Sequence, residues 1–456
     1  MFVNNSLSRY YEQVQAALRD LLGGRQSSTP SSNPTEFTPG VELPRLTPAV
    51  QEFLSVSDVS VAPLPSYDGR NLALLDLMSN PATMTTKTFA SLVIVARAVR
   101  FIQDTGERIT IVTPSSANKA IALRDAVLRA VNCGLVGADQ LNIVVLVPEG
   151  SVAKLRRTGL YSDPYLRTRN PIAVLGRDRT PGAVKDIARG FVDSHGEELT
   201  RDHKTHLWYT LQLENYLAAD IVRALSEAEF FPATADRPRL HAHAVSSAYG
   251  LLGHAYGRTR LPEADRAGTP DPRYFLVQHL GAPDMVLSLY NDGSTDPGNM
   301  PAYSLQPETG LYTQERDPHF PAFTYDPHEA LDPTFYTRNP PTSPRMNELI
   351  QGQGGGGLVV SLAECLQRYG QVRNILGEAK MRLPADPRAL REWSLVMAVT
   401  GVLNGIDRGL IGEQDILVHG SGSYSAADFD SVGIHDTHRV EDVAALHQLV
   451  LTAVKQ

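Results

Sequence analysis

ITIVTPSSANKAIALRDAVLRAVNCGLVGADQLNIVVLVP, from Ile109 to Pro148, reads as a strand, a small-residue turn, a helix and a second strand. ITIVTP is a short β-branched run, apolar residues then recur at helical spacing from Ala117 to Val131, and NIVVLVP is again a strand. A strand, a helix of ten to fifteen residues and another strand make a βαβ unit, and such units build mostly parallel sheets. The same alternation extends outward in both directions. NLALLDL and the helical FASLVIVARAVRFIQ precede it. IAVLG, the helices PGAVKDIARGFV and LQLENYLAADIVRAL, the strand LHAHAV and a helix after Gly250 follow it. Between about Asp265 and Gln351 the chain turns rich in proline, glycine, aspartate and tyrosine around the strand YFLVQHL, as long loops over a cleft would. Order returns with a helix over Ala389 to Asn404, the strand DILVHG and a last helix from Val440. At the other end a helix from Arg9 to Leu22 leads into GGRQSSTPSSNPTEFTPG, a flexible linker, so the folded body begins near Val41.

Composition sets the outer limits. The chain has 456 residues, 42% of them apolar and 20% charged, enough for two domains around large cores. A net charge of −8 with both signs interspersed offers no basic stripe for a nucleic acid. No apolar run is long enough to span a membrane and the N-terminus does not read as a secretory signal, so the expectation is a cytoplasmic protein with no membrane partner. Cys133 and Cys365 stand far apart without metal-ligand spacing, and His241 with His243 share a strand face without a third ligand in view, so no metal site is expected.

Four turns and one lysine could carry chemistry. In TPSSANKAIAL, Thr113 to Leu123, the backbone amides at a helix start join the hydroxyls of Ser115 and Ser116, and Asn118 falls in the first turn, where its amide can bond a ligand. A plain serine N-cap fits the same residues. In AVSSAYGLLGHAYG, Ala244 to Gly257, residues Ser246, Ser247, Ala248, Tyr249 and Gly250 form a second small-residue turn that could let the backbone approach a phosphate. The glycines 354 to 357, with no hydroxyl and LVVSLAECL after them, fit a flexible turn into a strand or helix at least as well as a cradle. ILVHGSGSYS, Ile416 to Ser425, leaves the carboxyl edge of a strand, where open α/β sheets bind ligands. Lys87, in NPATMTTKTFASL, could form a Schiff base if burial lowers its pKa, or could be a plain surface lysine.

Taken in order, these segments resemble the threonine synthase-like and cysteate synthase-like enzymes of fold type II, which use pyridoxal 5'-phosphate. The likeness runs from about Val41 to Tyr424. It implies a two-domain α/β fold of the tryptophan synthase β kind: residues 41–88 with 200–440 as a large cofactor domain, 89–199 as a small domain, 1–40 as an N-terminal helix and linker, and 441–456 as a C-terminal helix. It also implies a homodimer and an amino-acid-like substrate undergoing elimination or replacement at its β or γ carbon. NPATMTTKTF is similar to the segment whose lysine holds the cofactor, which points to Lys87. SSAN is similar to the S-x-G-N turn, with Asn118 at the ring hydroxyl and Ser116 among the cofactor-binding residues, and HAVSSAYGLL to the phosphate loop V-G-S-G-T-G. ILVHGSGS is similar to the segment that contacts the ring nitrogen, at His419. Departures are as specific as the matches: the family lysine directly follows phenylalanine, whereas here Phe89 comes two residues after Lys87. Ala117, Ser246 and Ala248 replace glycines, Tyr249 replaces threonine, and His419 replaces a hydroxyl residue. The alternative is a fold-type II scaffold that has lost the cofactor and acts as a different catalyst or a binding protein, with His419, Tyr249 and the His241/His243 pair as candidates for new chemistry.

Overall fold

The computed structural model describes residues 2–23, 37–176, 180, 182–210, 212–266, 268–332 and 337–455; most of the expected linker, 24–36, lies outside the described residues. In chain order the elements used below are β1 (Phe2–Val3), α1 (Tyr11–Leu22), β2 (Val59–Tyr67), β3 (Arg70–Asp76), α2 (Lys87–Thr105), β4 (Arg108–Pro114), α3 (Asn118–Asn132), β5 (Leu141–Pro148), β6 (Ile172–Leu175), α4 (Ala183–His203), β7 (Thr205–Tyr209), α5 (Glu214–Phe230), β8 (Arg239–Ala244) and α6 (Tyr249–Thr259). They continue with β9 (Arg273–His279), β10 (Gly355–Val360), α7 (Leu362–Glu378), α8 (Ser394–Asp407), β11 (Asp415–Gly420), β12 (His438–Arg439) and α9 (Val443–Val454). Contacts divide the chain into two units, one of Met1–Asn4, Asp58–Ser79 and Asp220–Ala426, the other of Asn5–Ser57, Asn80–Ala219 and Ala427–Gln456. The expected domains drew their lines elsewhere: α1 and α9 group with the second unit, and the first resumes at Asp220, inside α5, instead of at 200.

The first unit holds a seven-stranded sheet in the order β1-β2-β3-β11-β8-β9-β10. Its two outer pairings, β1 with β2 and β2 with β3, are antiparallel, and the rest are parallel. Side chains alternate between the faces of a strand. Leu240, Ala242, Phe275, Val277, Leu358, Ile416 and Val418 point to one face and form a core with Val372, Leu376, Leu395, Val399 and Val402 of α7 and α8. The same alternation sends His241, His243, Tyr274 and His419 to the opposite face. At the sheet edge close packing depends on Gly355, at φ +113°, where a Cβ would stand 2.0 Å from the Tyr274 carbonyl oxygen. The run 354 to 357, expected as a flexible turn into a strand or helix, leads into a strand that takes in Gly355, Gly356 and Gly357 themselves and pairs with β9.

The second unit holds a parallel five-stranded sheet, β12-β6-β5-β4-β7. Val112, Val144, Leu146, Ala173 and Leu175 bury one face against Val184, Ala188 and Phe191 of α4 and Leu446 and Val450 of α9. The α/β class with mostly parallel sheets is as read from the sequence. Two local readings change. The helix expected at Ala389 begins at Ser394, because Leu390 and Glu392 pair as a short strand with Ser425 and Tyr424. The region 265–351 carries more regular structure than loops alone, including helices Asp284–Tyr290 and Ser343–Gln353 and a small three-stranded sheet.

Candidate functional site

Lys87 is the first residue of α2, at the end of a loop fixed within the second unit from three sides. Asn80 is the hub: its side-chain oxygen accepts from the Ala82 amide at 3.0 Å, and its amide donates to Asp125 at 2.9 Å and to Thr88 at 3.3 Å. The Thr83 and Thr88 hydroxyls bond each other at 2.6 Å. Arg156 donates to the carbonyls of Pro81, Ala82 and Thr83, the last two at 2.6 and 2.8 Å. Burial raises the Asp125 carboxyl above its ordinary range, against the opposing bond from Asn80. The lysine ammonium lies 5.1 Å from the centre of the Tyr216 ring, a cation–π distance. Such a loop holds one lysine in one place.

In the same unit β4 ends in the turn before α3. Ser115 Oγ accepts from the amides of Ala117 and Ala120 at 3.1 and 3.0 Å, satisfying two donors that the helix itself leaves open. Ala117 takes φ +119° and ψ −60°, a conformation suited to glycine and strained for alanine. The turn thus keeps a glycine's geometry without the glycine. Asn118 is buried at the first position of α3, Ser116 is partly exposed, and the Lys119 ammonium donates to the Thr210 carbonyl. Lys87 and Lys119 both stand in the first turn of a helix, where the backbone dipole disfavours positive charge. Sequence reasoning passed over Lys119, although that misplacement was a signal open to it.

The turn before α6 is built differently. Ala248 is left-handed, at φ +49°, and no side chain caps the helix. Ser246 bonds the Thr337 hydroxyl at 2.9 Å, and Thr342 donates to the Ser247 carbonyl at 2.6 Å. Gly250 does not leave open space: a Cβ there would stand 2.5 Å from Arg223 Cζ. On Gly253 it would stand 2.4 Å from Asp220 Cβ, and on Gly257 2.8 Å from the Ile221 carbonyl oxygen. The glycines of AVSSAYGLLGHAYG are spaced to seat α5 against α6, so Gly250 has a packing reason of its own beside the phosphate contact expected of it.

His419, expected at a ring nitrogen, is fully buried within the first unit and both its nitrogens are engaged there. Arg223 lies 3.0 Å from Nδ1, and a guanidinium can only donate, so Nδ1 accepts. Nε2, 3.0 Å from His241 Nδ1, then carries the hydrogen and donates it. His241 is left with its hydrogen on Nε2, facing Glu227 at 3.6 Å. Glu227 also accepts from His254 at 2.6 Å and Arg239 at 2.8 Å, while Arg223 is paired with Asp220 at 2.8 Å. The result is a one-way chain of hydrogen bonds from Arg223 through His419 to His241, whose Nε2–H faces the Glu227 carboxylate. Burial alone would raise the Glu227 carboxyl, but His241, His254 and Arg239 outweigh it and hold the group well below the usual range. Burial, reinforced by Arg223, lowers His419 well below an ordinary histidine, and burial lowers His241 against the pull of Glu227.

Glu227, His241 and His254 also bring three donor atoms within 4.8 Å, the spacing of a metal site. A metal needs the lone pair on His241 Nε2, whereas the chain fixed by Arg223 places a hydrogen there. Asp220, Arg223 and Glu227 share α5 at helical spacing, where in sequence they pass for an ordinary charged helix face; His254 on α6 and Tyr274 on β9 join them only through the fold.

The residues fit pyridoxal phosphate unevenly. The fixed lysine, the asparagine turn and the uncapped amino terminus of α6 suit the aldehyde, the ring hydroxyl and an anion respectively. His419, with both nitrogens engaged, does not offer a ring-nitrogen contact.

A family model described as "Family of unknown function (DUF6002)" matches residues 2–454. No curated protein matches by sequence. Among solved structures, threonine synthase from Escherichia coli is similar at 15% identity and a TM-score of 0.54, over 96% of this chain and 88% of that one. Threonine synthase from yeast is similar at 12% identity and 0.52, over 100% and 88%. The pyridoxal-phosphate-bound threonine synthase from Brucella melitensis is similar at 11% and 0.52, over 97% and 89%. At these identities the likeness concerns the fold.

Proposed function

The chain belongs to the family of unknown function DUF6002, and from that premise and the site geometry we propose that it is a pyridoxal-phosphate enzyme acting on an amino acid, by elimination or replacement at the β or γ carbon. The observation that carries this reading is the conjunction, within one unit, of Lys87 on its fixed loop and Asn118 on a turn that keeps a glycine's conformation. Alanine at φ +119° is costly, and cost retained in a folded protein marks a conformation with a use.

Each group has a role. Lys87 would hold the cofactor by its aldehyde carbon and Asn118, with Ser116 beside it, would bond the ring hydroxyl; in the other unit the turn of Ser246, Ser247, Ala248, Tyr249 and Gly250 at the start of α6 would suit a phosphate. Arg223, beneath Gly250, adds positive charge to that helix start. Bound there, the cofactor supplies an electron sink for negative charge on the substrate carbon beside its amino group. In this reading His419 works through Arg223 as a positioning residue and does not touch the ring. A homodimer is part of the same proposal.

The test is an absorbance spectrum with added pyridoxal phosphate, before and after borohydride, in the native protein and in Lys87→Ala. The expected result is a visible band that borohydride bleaches and that the substitution abolishes. No band at saturating cofactor would sink the proposal and favour the alternative of a scaffold without cofactor.

A further inference from the structure

We propose that Lys119 is a second working amine of this site, the group that takes a proton from the substrate's ammonium while Lys87 holds the cofactor. This rests on the proposed function for its substrate and on independent geometry for its chemistry. Lys119 directly follows Asn118 in the first turn of α3 and donates to the Thr210 carbonyl just past β7. The pairing of Val112 with Tyr209 sets Thr113 beside Thr210 at the carboxyl ends of β4 and β7, the edge where parallel sheets bind ligands. Both threonines are fully buried, and their hydroxyls have no hydrogen-bond partner among the described residues. Buried hydroxyls are rarely left so, and their orphaned state points to a polar ligand atom.

The charges acting on Lys119 are Lys87 from α2 and Lys185 from α4. Burial first, then repulsion from these two, pushes its ammonium down to about 7. An amino acid arrives protonated on nitrogen and cannot attack a carbonyl carbon in that form. At neutral pH the free Lys119 amine takes the proton: the N–H bond of the substrate breaks, its electron pair stays on the substrate nitrogen, and Lys119 becomes an ammonium that returns its proton to solvent. Neighbouring cations activate lysines in this way.

Two measurements decide the matter. Competitive acylation with acetic anhydride over a range of pH, mapped by mass spectrometry, reads each lysine separately and needs no cofactor. Lys119 is expected to reach half its maximal reactivity near pH 7, and Lys87→Met is expected to move that midpoint upward, since removing a neighbouring positive charge favours the protonated form. A Lys119 profile matching that of surface Lys380 overturns the inference. In the second arm, Lys119→Met loaded with pyridoxal phosphate should keep its visible band, but its spectral response to a panel of amino acids should slow at least tenfold at pH 7 and recover as pH rises. An unchanged pH profile overturns the role. Absence of the band in the native protein defeats the proposed function and leaves the acylation result to judge Lys119 alone.

Discussion

The same three residues open two helices in this protein. Ser115-Ser116-Ala117 leads into α3 in one unit and Ser246-Ser247-Ala248 into α6 in the other, each after a parallel strand and each with its alanine at positive φ, +119° and +49°. From there they diverge. The first is tied by its own serine, whose Oγ takes two amides within five residues. The second has no such cap; its serines bond Thr337 and Thr342, and the space at Gly250 is filled by a guanidinium held by Asp220 and His419. One helix start is ordered locally and the other from a distance. A matched tripeptide therefore does not imply a matched site.

The largest effect that separates them should come from Arg223→Met against Ser115→Ala. Losing Arg223 leaves the Asp220 carboxylate and the His419 chain without their buried partner, and removing one side of such a pair costs about 3–5 kcal/mol. Losing the Ser115 hydroxyl removes a helix cap, about 1 kcal/mol. Urea unfolding of the two variants measures both. If Arg223→Met costs no more than Ser115→Ala, the distant framework of α6 is not what holds it.

Acid sharpens the comparison next. His241 and His419 are neutral when folded, their values pushed well below 6.5. Once pH falls below about 6.5 the unfolded chain takes protons that the folded chain refuses, so stability is full above that pH and is lost on acidification, by up to about 1.4 kcal/mol per pH unit for each residue. Glu227 is depressed, so its contribution persists above the ordinary carboxylate value and fails only at still lower pH. The unfolding midpoint should fall between pH 7 and 5, and His419→Gln should flatten that slope. A slope unchanged by the substitution would show that the histidine chain is not its source.

What could be read in advance follows the same contrast. The βαβ alternation, the positions of Lys87 and Asn118, and both strand–turn–helix junctions were legible because each depends on residues close in sequence. The roles of Gly250 and His419 were not. Gly250 meets Arg223 through the packing of α6 on α5, and His419 meets His241 across 178 positions through the register of β11 with β8. Lys119 lay between these cases: its place in a helix's first turn was visible, but its neighbours Lys87 and Lys185 come from two other helices.

The smallest effect is the most direct probe of the two turns. Restoring glycine at Ala117 or Ala248 relieves backbone strain but also enlarges the freedom of the unfolded chain, which costs about 0.4–1 kcal/mol. Ala248, at φ +49° and ψ +19°, sits in the left-handed region, where an L-residue pays roughly 1 kcal/mol, so the two terms nearly cancel and Ala248→Gly should change stability little. Ala117, at φ +119° and ψ −60°, lies outside that region, and strain of about 1–3 kcal/mol applies. Ala117→Gly should therefore stabilise the protein by roughly 1 kcal/mol, read as a shift of the urea midpoint at constant slope. If it destabilises instead, the Ala117 conformation is not strained, and the inference from strain to use at the asparagine turn loses its footing.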